Sequence, residues 1–182
     1  MEMLLGVFSA FGLSASAGLN AYIPLLVVGV IGHYFPDTLK LSQPWDLIAN
    51  PWILILLGVL VIIEMVADKI PAVNHINDLI QTIIRPVAGA IAFAASANVI
   101  TDINPVLALA AGLLVAGSVH TVKAAAVRPA VTAATGGVGN LPVSIAEDVI
   151  ATVASVLAIL LPLIAGVVVI VLLTLLIWWW AS

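Results

Sequence analysis

The sequence predicts an all-α integral membrane protein with about five transmembrane helices. Of its 182 residues, 64% are hydrophobic and only 8% are charged, and the mean hydropathy is +1.30. A soluble domain is usually about a quarter charged, because it needs a polar shell. Five Lys and Arg and nine Asp and Glu residues do not supply one. Several apolar stretches also approach the roughly 20 residues that a helix needs to cross a bilayer.

Composition also excludes several functions. The net charge is −4 and there is no basic run, so nucleic acid is not an expected partner. The absence of cysteine excludes disulfides, thiolate nucleophiles and thiolate metal sites. Neither a zinc-protease His-Glu-x-x-His motif nor a Gly-x-Ser-x-Gly elbow occurs, so we expect no enzyme, no cofactor and no metal centre. No Lys or Arg precedes the first apolar segment, so we expect that segment to belong to the mature protein.

The first apolar segment covers about residues 4–31 and is interrupted. Its apolar run contains Ser14, Ser16, Gly18, Asn20 and Pro24. We predict that the chain unwinds or bends between Ser14 and Asn20 and that Pro24 restarts the helix. Small hydroxyl and amide side chains beside an unwound helix can bind an ion, which makes Ser16 and Asn20 candidates for a substrate or ion pathway. The alternative is close packing of helices through small residues.

The next three spans are more regular. The second covers residues 51 to about 67, the third about 78–100, and the fourth 105 to about 126. An Asn-Pro pair opens both the second and the fourth span. Asn suits the N-cap of a helix and Pro suits its first position, so both pairs predict helix starts.

The fifth span covers about residues 144–180 and would be roughly 55 Å long as one helix. We favour one tilted helix that ends in an interfacial anchor of three tryptophans at positions 178–180. The alternative is two short spans broken near Pro162, which gives six spans. Ser144 and Glu147 have the spacing of a capping box, so Glu147 is predicted to start this helix. Asp148 would favour the same helix end electrostatically.

An internal repeat relates the middle of the chain to its end. When Asn50-Pro51 is placed on Asn104-Pro105, Lys69 falls on Lys123. We therefore predict one transmembrane domain over residues 1–182. It would contain a broken N-terminal helix in residues 1–33 and two parallel repeats, residues 50–100 and 104–182, related by an axis along the membrane normal. The alternative is that similar apolar composition produces the match.

The basic residues predict the orientation. With five spans, one side of the membrane receives Lys69, Arg85, Lys123 and Arg128, and only Lys40 lies on the other side. The positive-inside rule makes the first side cytoplasmic, with a cytoplasmic N-terminus and an external C-terminus. If the first segment is a re-entrant pair, only the N-terminus changes side.

Two ionisable residues lie deep within predicted spans. Glu64 is about 20 Å from the start of the second span and His120 about 22 Å from the start of the fourth. Ionisable side chains at such depth normally face the protein interior, so we predict that these two lie close together there. Asp68 and Lys123 follow them by about one turn. We assign these four residues to a substrate or ion pathway. The alternatives are structural ion pairing and a Lys123 side chain that extends to the headgroups.

A second candidate site would bind an anion or a lipid headgroup. Arg85 and Arg128 each precede a proline, and arginine suits bidentate binding of phosphate or carboxylate. Consecutive backbone N–H groups in the glycine-rich stretch can cradle an anion; the glycines concerned are Gly136, Gly137 and Gly139. The alternatives are arginine contacts with headgroups at the inner surface and an ordinary cytoplasmic linker.

Several motifs resemble a known family. The most specific are residues 12–24 and residues 64–71 with Asn74 and Asp78. They are accompanied by His120, Arg128, the Thr-Gly-Gly segment and Glu147-Asp148. Together they resemble the prokaryotic membrane family called domain of unknown function 4126. The resemblance covers most of the chain and implies a multi-pass protein of a bacterial-type inner membrane. It implies no activity, so the functional prediction depends on the residues themselves.

The residues favour a transporter or channel for a small ion or solute. One alternative is a protein that binds or flips a lipid headgroup or polyprenyl phosphate, and another is a non-catalytic membrane scaffold. The expected partners are membrane lipids and the small ion or solute, with a homo-oligomer as a further possibility.

Overall fold

The computed structural model describes residues 2–97 and 104–162, and six single positions from Ile164 to Trp178. The described residues form helices joined by turns, with no β-strand among them. The α-helices are α1 (Glu2–Leu19), α2 (Tyr22–Tyr34), α3 (Pro51–Ala67), α4 (Pro71–Ala97), α5 (Pro105–Val122), α6 (Arg128–Thr135) and α7 (Asn140–Leu160). A 3₁₀-helix covers Trp45–Ala49, and a π-helical turn, Lys123–Val127, joins α5 to α6.

Three helical stretches are long and apolar enough to cross a membrane: Ile76–Ser96, Pro105–Thr135 and Asn140–Leu160. Shorter apolar helices cover Leu5–Leu19, Tyr22–Tyr34 and Pro51–Ala67. Large aliphatic side chains such as Ile62 and Leu114 lie on the outer surface, where a soluble protein would place polar groups. The prediction of an all-α membrane protein is therefore confirmed.

Helix α1 packs against α4, α5 and α7, and α4 packs closely against α5. The α4–α5 contact depends on glycine. A Cβ atom at Gly89 would collide with Ala116, and one at Gly112 would collide with the backbone of Gly89 and Ala90. Small residues let helices approach closely where the solvent is as apolar as the side chains. This contact fixes the relative positions of α4 and α5, both of which carry residues of the site described below.

The first apolar segment is broken, as predicted, but only at Asn20 and Ala21. Ser14 and Ser16 belong to the regular part of α1. The Asn20 side-chain oxygen accepts hydrogen bonds from the backbone N–H groups of Tyr22 (3.2 Å) and Ile23 (3.1 Å), so Asn20 caps α2. Pro24 has no N–H to donate to the Asn20 carbonyl, which prevents a continuous helix at this point.

Two predicted boundaries were wrong because helix continues where the sequence becomes more polar. Helix α4 begins at Pro71, about two turns before the predicted start near Asp78. The fourth span does not end at Ala126 but continues through the π-helical turn to Thr135, so Thr132–Thr135 is helix instead of loop. Gly136 ends it in the left-handed conformation (φ 63°), which glycine adopts without strain.

The predicted capping box at Ser144 was also wrong. Helix α7 begins at Asn140, so Ser144 and Glu147 lie inside it, and both side chains are buried. A capping box requires a free helix end, whereas here a turn of helix precedes the serine.

The preference for one continuous fifth helix was wrong, and the alternative break near Pro162 is found. Helix α7 ends at Leu160, and Leu161 has a non-helical backbone (φ −137°, ψ 60°). A proline disfavours helical geometry in the residue before it, which accounts for the position of the break. Trp178 is helical and exposed. Trp179 and Trp180, the rest of the predicted anchor, lie outside the described residues.

The two Asn-Pro helix starts are confirmed. The side chains of Asn50 and Asn104 accept hydrogen bonds from the N–H groups of Trp52 and Val106, each at 2.9 Å. Superposition of residues 50–100 on residues 104–182 remains a prediction.

Candidate functional site

A network of ion pairs lies in the interior of the bundle and contains four of the chain's five Lys and Arg residues. The charge network consists of Glu64, Asp68, Lys69, Arg85, Lys123, Arg128, Glu147 and Asp148. Except for Lys69, which is 26% exposed, each side chain in these pairs is at most 9% exposed. Because burial of a single charge in a membrane protein is costly, these groups are stable there only as partners of one another.

Arg85 of α4 is fully buried and joins three elements. Its Nε and Nη2 donate to Glu64 Oε1 at 3.2 and 3.0 Å, and its Nη1 lies 3.1 Å from His120 Nδ1. Glu64 of α3 and His120 of α5 therefore both lie in the interior, separated by one guanidinium. The sequence predicted that they would be close but did not predict Arg85 between them, because Arg85 was assigned to an anion or headgroup site.

The contacts of His120 fix its protonation. An arginine N–H can only donate, so Nδ1 of His120 accepts from Arg85 and Nε2 carries the proton. Nε2 then donates to Thr82 Oγ1 (3.1 Å), which itself donates to the Asp78 carbonyl (2.8 Å). The imidazole is thus neutral in this arrangement and links the charge network to a hydroxyl on the outer face of α4.

Asp68 lies in the turn after α3. Its Oδ1 accepts from Asn77 at 2.6 Å. Its Oδ2 lies 3.4 Å from Arg85 Nη2, 3.5 Å from Lys123 Nζ and 3.5 Å from Arg128 Nη2. Burial alone would raise the pKa of Asp68, but Lys123, Arg85 and the other donors together hold that pKa below its usual value. Asp68 is therefore held as a carboxylate that faces three cations.

Glu147 and Asp148 of α7 belong to the network, although the sequence assigned them to a helix start. Glu147 Oε2 accepts from Arg128 Nη2 at 2.6 Å and lies 3.1 Å from Lys123 Nζ. Asp148 accepts from Lys69 (2.8 Å) and from the Asn20 amide (3.0 Å). One sequence signal indicates this face. Ser144, Ala151, Ser155 and Ala158 follow the spacing of a single helix face with these carboxylates, and all of them are buried.

The helix break at Asn20 and Ala21 is attached to the charge network at both ends. Lys123 Nζ donates to the Leu19 carbonyl at the end of α1 (3.0 Å). The Ala21 N–H at the start of α2 donates to Glu64 Oε2 at 3.1 Å. A cation thus meets the negative end of one helix and an anion meets the positive end of the next, which is the favourable pairing with helix dipoles. Side chains of the charge network thus stabilise both helix ends at the break.

Other predicted site residues lie apart from the network. The Ser16 hydroxyl donates to the Gly12 carbonyl of its own helix (2.9 Å), so its hydrogen bond lies within α1. Gly136, Gly137 and Gly139 form the turn between α6 and α7, and space around the first two is open. Within the described part of the chain, no group of three or more His, Asp or Glu side chains could hold a metal ion.

Two mostly apolar grooves on the outside of the bundle reach polar residues of this region. One, of about 360 Å³, lies between α2, α3 and α7 and includes Asp148 and Thr152. The other, of about 470 Å³, lies between α4 and α5 and includes Thr82 and His120. Both volumes are within the range of small-molecule pockets.

Comparison with known proteins identifies the family and no activity. No curated protein and no solved structure shows significant similarity to the chain. The family model described as "Domain of unknown function (DUF4126)" matches residues 7–182, which include the helix break and every member of the charge network. The resemblance seen in the motifs is thereby confirmed, and the chain belongs to the DUF4126 family of proteins of unknown function.

Proposed function

We propose that the protein is a membrane transporter or channel for a small ion or solute. The observation that carries the proposal is the helix break, whose two ends lie in the interior and are bound by Lys123 and Glu64. Transporters commonly build their binding sites from such discontinuous helices, because the exposed helix ends offer partial charges at membrane depth. In this proposal the substrate passes beside the break and exchanges with members of the charge network.

Energetics favour this function over a structural scaffold. A buried ion pair is weak support for stability, since well-packed apolar residues in its place are often neutral or stabilising by about 1–4 kcal/mol. Eight charged side chains gathered from α3, α4, α6, α7 and the adjoining turns are therefore more than a scaffold needs. Intramembrane ionisable groups more often mark ion or substrate paths.

One observation favours a second function, the binding or flipping of a lipid headgroup or polyprenyl phosphate. The two outer grooves give access from the lipid side to Asp148 and to His120. A lipid chain in either groove would place its polar group next to the charge network. We also infer that the protein acts in the plasma membrane, because the composition favours a membrane protein and the family resemblance implies an inner membrane.

Reconstitution into liposomes tests the proposal. Flux of protons, sodium, potassium, chloride and phosphate is measured with fluorescent reporters, and lipid flipping is measured in the same vesicles with a labelled phospholipid. We expect flux of one ion class, and we expect Glu64→Gln to reduce it about tenfold or more, because the substitution removes the charge at the helix break. Circular dichroism and gel filtration establish that each variant is folded.

Asp46→Asn is the matched control, because Asp46 is an exposed carboxylate within the 3₁₀-helix and is not a member of the charge network. It should leave flux unchanged. Lipid flipping without ion flux would favour the second function. A folded protein that moves neither ions nor lipid would refute both and leave a scaffold.

A further inference from the structure

Three of the network's four cations converge on one atom, the Oδ2 oxygen of Asp68. Arg85 reaches it from α4 at 3.4 Å, and Lys123 and Arg128 reach it from the two sides of the π-helical turn at 3.5 Å each. Each cation also has a closer carboxylate. Arg85 lies 3.0 Å from Glu64, while Lys123 and Arg128 lie 3.1 and 2.6 Å from Glu147. Asp68 is therefore the more distant carboxylate partner of all three.

Charge balance shows what Asp68 contributes. The three cations outnumber Glu64 and Glu147 by one charge. The further carboxylates near them are Asp68, whose Oδ2 lies close to all three, and Asp78, which acts on them electrostatically. Without Asp68, the three cations lose the carboxylate that they share, and the negative charge left near them comes from Glu64, Glu147 and the half-buried Asp78. Two guanidinium groups and one ammonium group are the donors that proteins use for phosphate and carboxylate groups.

Asp68 differs from the cations around it because it lies in a turn outside the regular helices. It lies at the end of α3, and only two residues, Lys69 and Ile70, separate it from α4. Both are more exposed than Asp68, so this turn is where the network comes nearest to the surface. The three cations, by contrast, lie on helical segments. Lys123 begins the π-helical turn Lys123–Val127, and such turns are rare in proteins overall but often occur at functional sites.

We propose that Asp68 occupies an oxyanion-binding site as an internal substitute for the substrate. The substrate is an oxyanion of the phosphate or carboxylate type, which binds Arg85, Lys123 and Arg128 when the turn withdraws the Asp68 carboxylate. The passage of this anion across the membrane rests on the transport function proposed above, whereas its binding does not. Asp68 then closes the site whenever the anion is absent.

The test is the binding of inorganic phosphate to the purified protein in detergent. Binding is monitored by the rise in the thermal unfolding temperature, and chloride at equal ionic strength is the reference. Asp68→Asn removes the internal anion and leaves the three cations. We expect its affinity for phosphate to exceed that of the wild type by about tenfold or more, with a correspondingly larger rise in Tm. Asp46→Asn should behave as the wild type, and Arg128→Gln added to Asp68→Asn should remove the gain.

The outcomes that overturn the inference are specific. In one, phosphate raises the Tm of Asp68→Asn no more than chloride does. In the other, sodium or potassium raises the Tm of this variant and phosphate does not. If Asp68→Asn does not fold, Arg128→Gln is compared with the wild type. A loss of phosphate affinity of about tenfold supports the site, and unchanged affinity overturns it.

Two further arms separate related explanations. Dihexanoyl phosphatidic acid is titrated in parallel with inorganic phosphate. Tighter binding of the lipid identifies a lipid headgroup as the source of the oxyanion. Tighter binding of phosphate identifies the free ion. Phosphate flux is measured in liposomes with the wild type and with Asp68→Asn. Binding without flux refutes the transport function and retains the site, whereas cation flux without oxyanion binding retains transport and refutes the site.

Discussion

Arg85 shows how a single residue organises the site. Its guanidinium has five N–H donors in a fixed plane, and three of its nitrogens bond to Glu64 and His120, with Nη2 also reaching Asp68. Lysine has the same charge but cannot donate hydrogen bonds to all of these groups at once, because its donors are on a single nitrogen atom. The geometry of the network therefore depends on the shape of this side chain as well as on its charge.

We predict that Arg85→Gln destabilises the protein by about 3–5 kcal/mol, because it leaves the buried Glu64 carboxylate without its main cation. The free energy of unfolding, measured by titration with SDS in mixed micelles, checks this. The double variant Glu64→Gln with Arg85→Gln should recover part of the loss, since neither charge then remains unpaired. Lys40→Gln, at an exposed basic residue outside the network, should have little effect. A loss in the double variant equal to the sum of the single losses would show that the two residues do not interact.

At this scale the sequence predicted about half of the site. Glu64 and His120 were recognisable because their distance from a helix start gave their depth in the membrane. Glu147 was missed because its spacing from Ser144 imitates a capping box, and only the position of the helix start excludes that. The contacts of Arg85 with Glu64 and His120 were not predicted, since a sequence does not show which neighbouring helices a side chain inside a helix faces. The decisive information is which helix faces which, and that depends on tertiary packing.

The helix break is the element that connects packing to the site. Asn20 is suited to it because its side chain has both an acceptor and a donor. The oxygen caps α2, while the amide donates to Asp148 of α7 at 3.0 Å. The sequence predicted an interruption in a wider interval, because Ser14 and Ser16 also weaken an apolar run. Those serines instead stay helical by donating to the carbonyls of Gly112 and Gly12, so only Asn20 and Ala21 leave the helix.

We predict that Asn20→Ala costs about 1–2 kcal/mol of stability, because α2 loses its cap, and that it also lowers flux in liposomes. Asn50→Ala is the matched control. Asn50 likewise caps a helix, but it is exposed and outside the charge network. It should cost a similar amount of stability and leave flux unchanged. SDS titration and the liposome assay measure the two effects separately. Equal flux in both variants would mean that Asn20 has only a structural role.

At the scale of the whole molecule, the predicted internal repeat contrasts with a charge network that is not symmetric. Lys69 and Lys123 occupy matching positions in the sequence repeat, yet both pair with carboxylates of α7, Asp148 and Glu147. An exact two-fold arrangement would place these partners on different halves. The first two helices, which have no counterpart in the repeat, also supply the break. If residues 50–100 and 104–182 share an ancestor, the charge network is where the two copies have diverged.

The orientation in the membrane is the remaining prediction, and the chain is well suited to testing it because it contains no cysteine. Lys40 precedes α3, whereas the exposed Val138 lies in the turn between α6 and α7, beyond the basic residues Lys123 and Arg128. The positive-inside rule puts the basic end on the cytoplasmic side. A membrane-impermeant maleimide added to intact cells should therefore label Lys40→Cys and should label Val138→Cys only after the membrane is permeabilised. Ser42→Cys, an exposed position in the same connection as Lys40, should repeat the result for that side. Labelling of Val138→Cys in intact cells, with Lys40→Cys protected, would show the reverse orientation and place the turn that carries Asp68 on the outside.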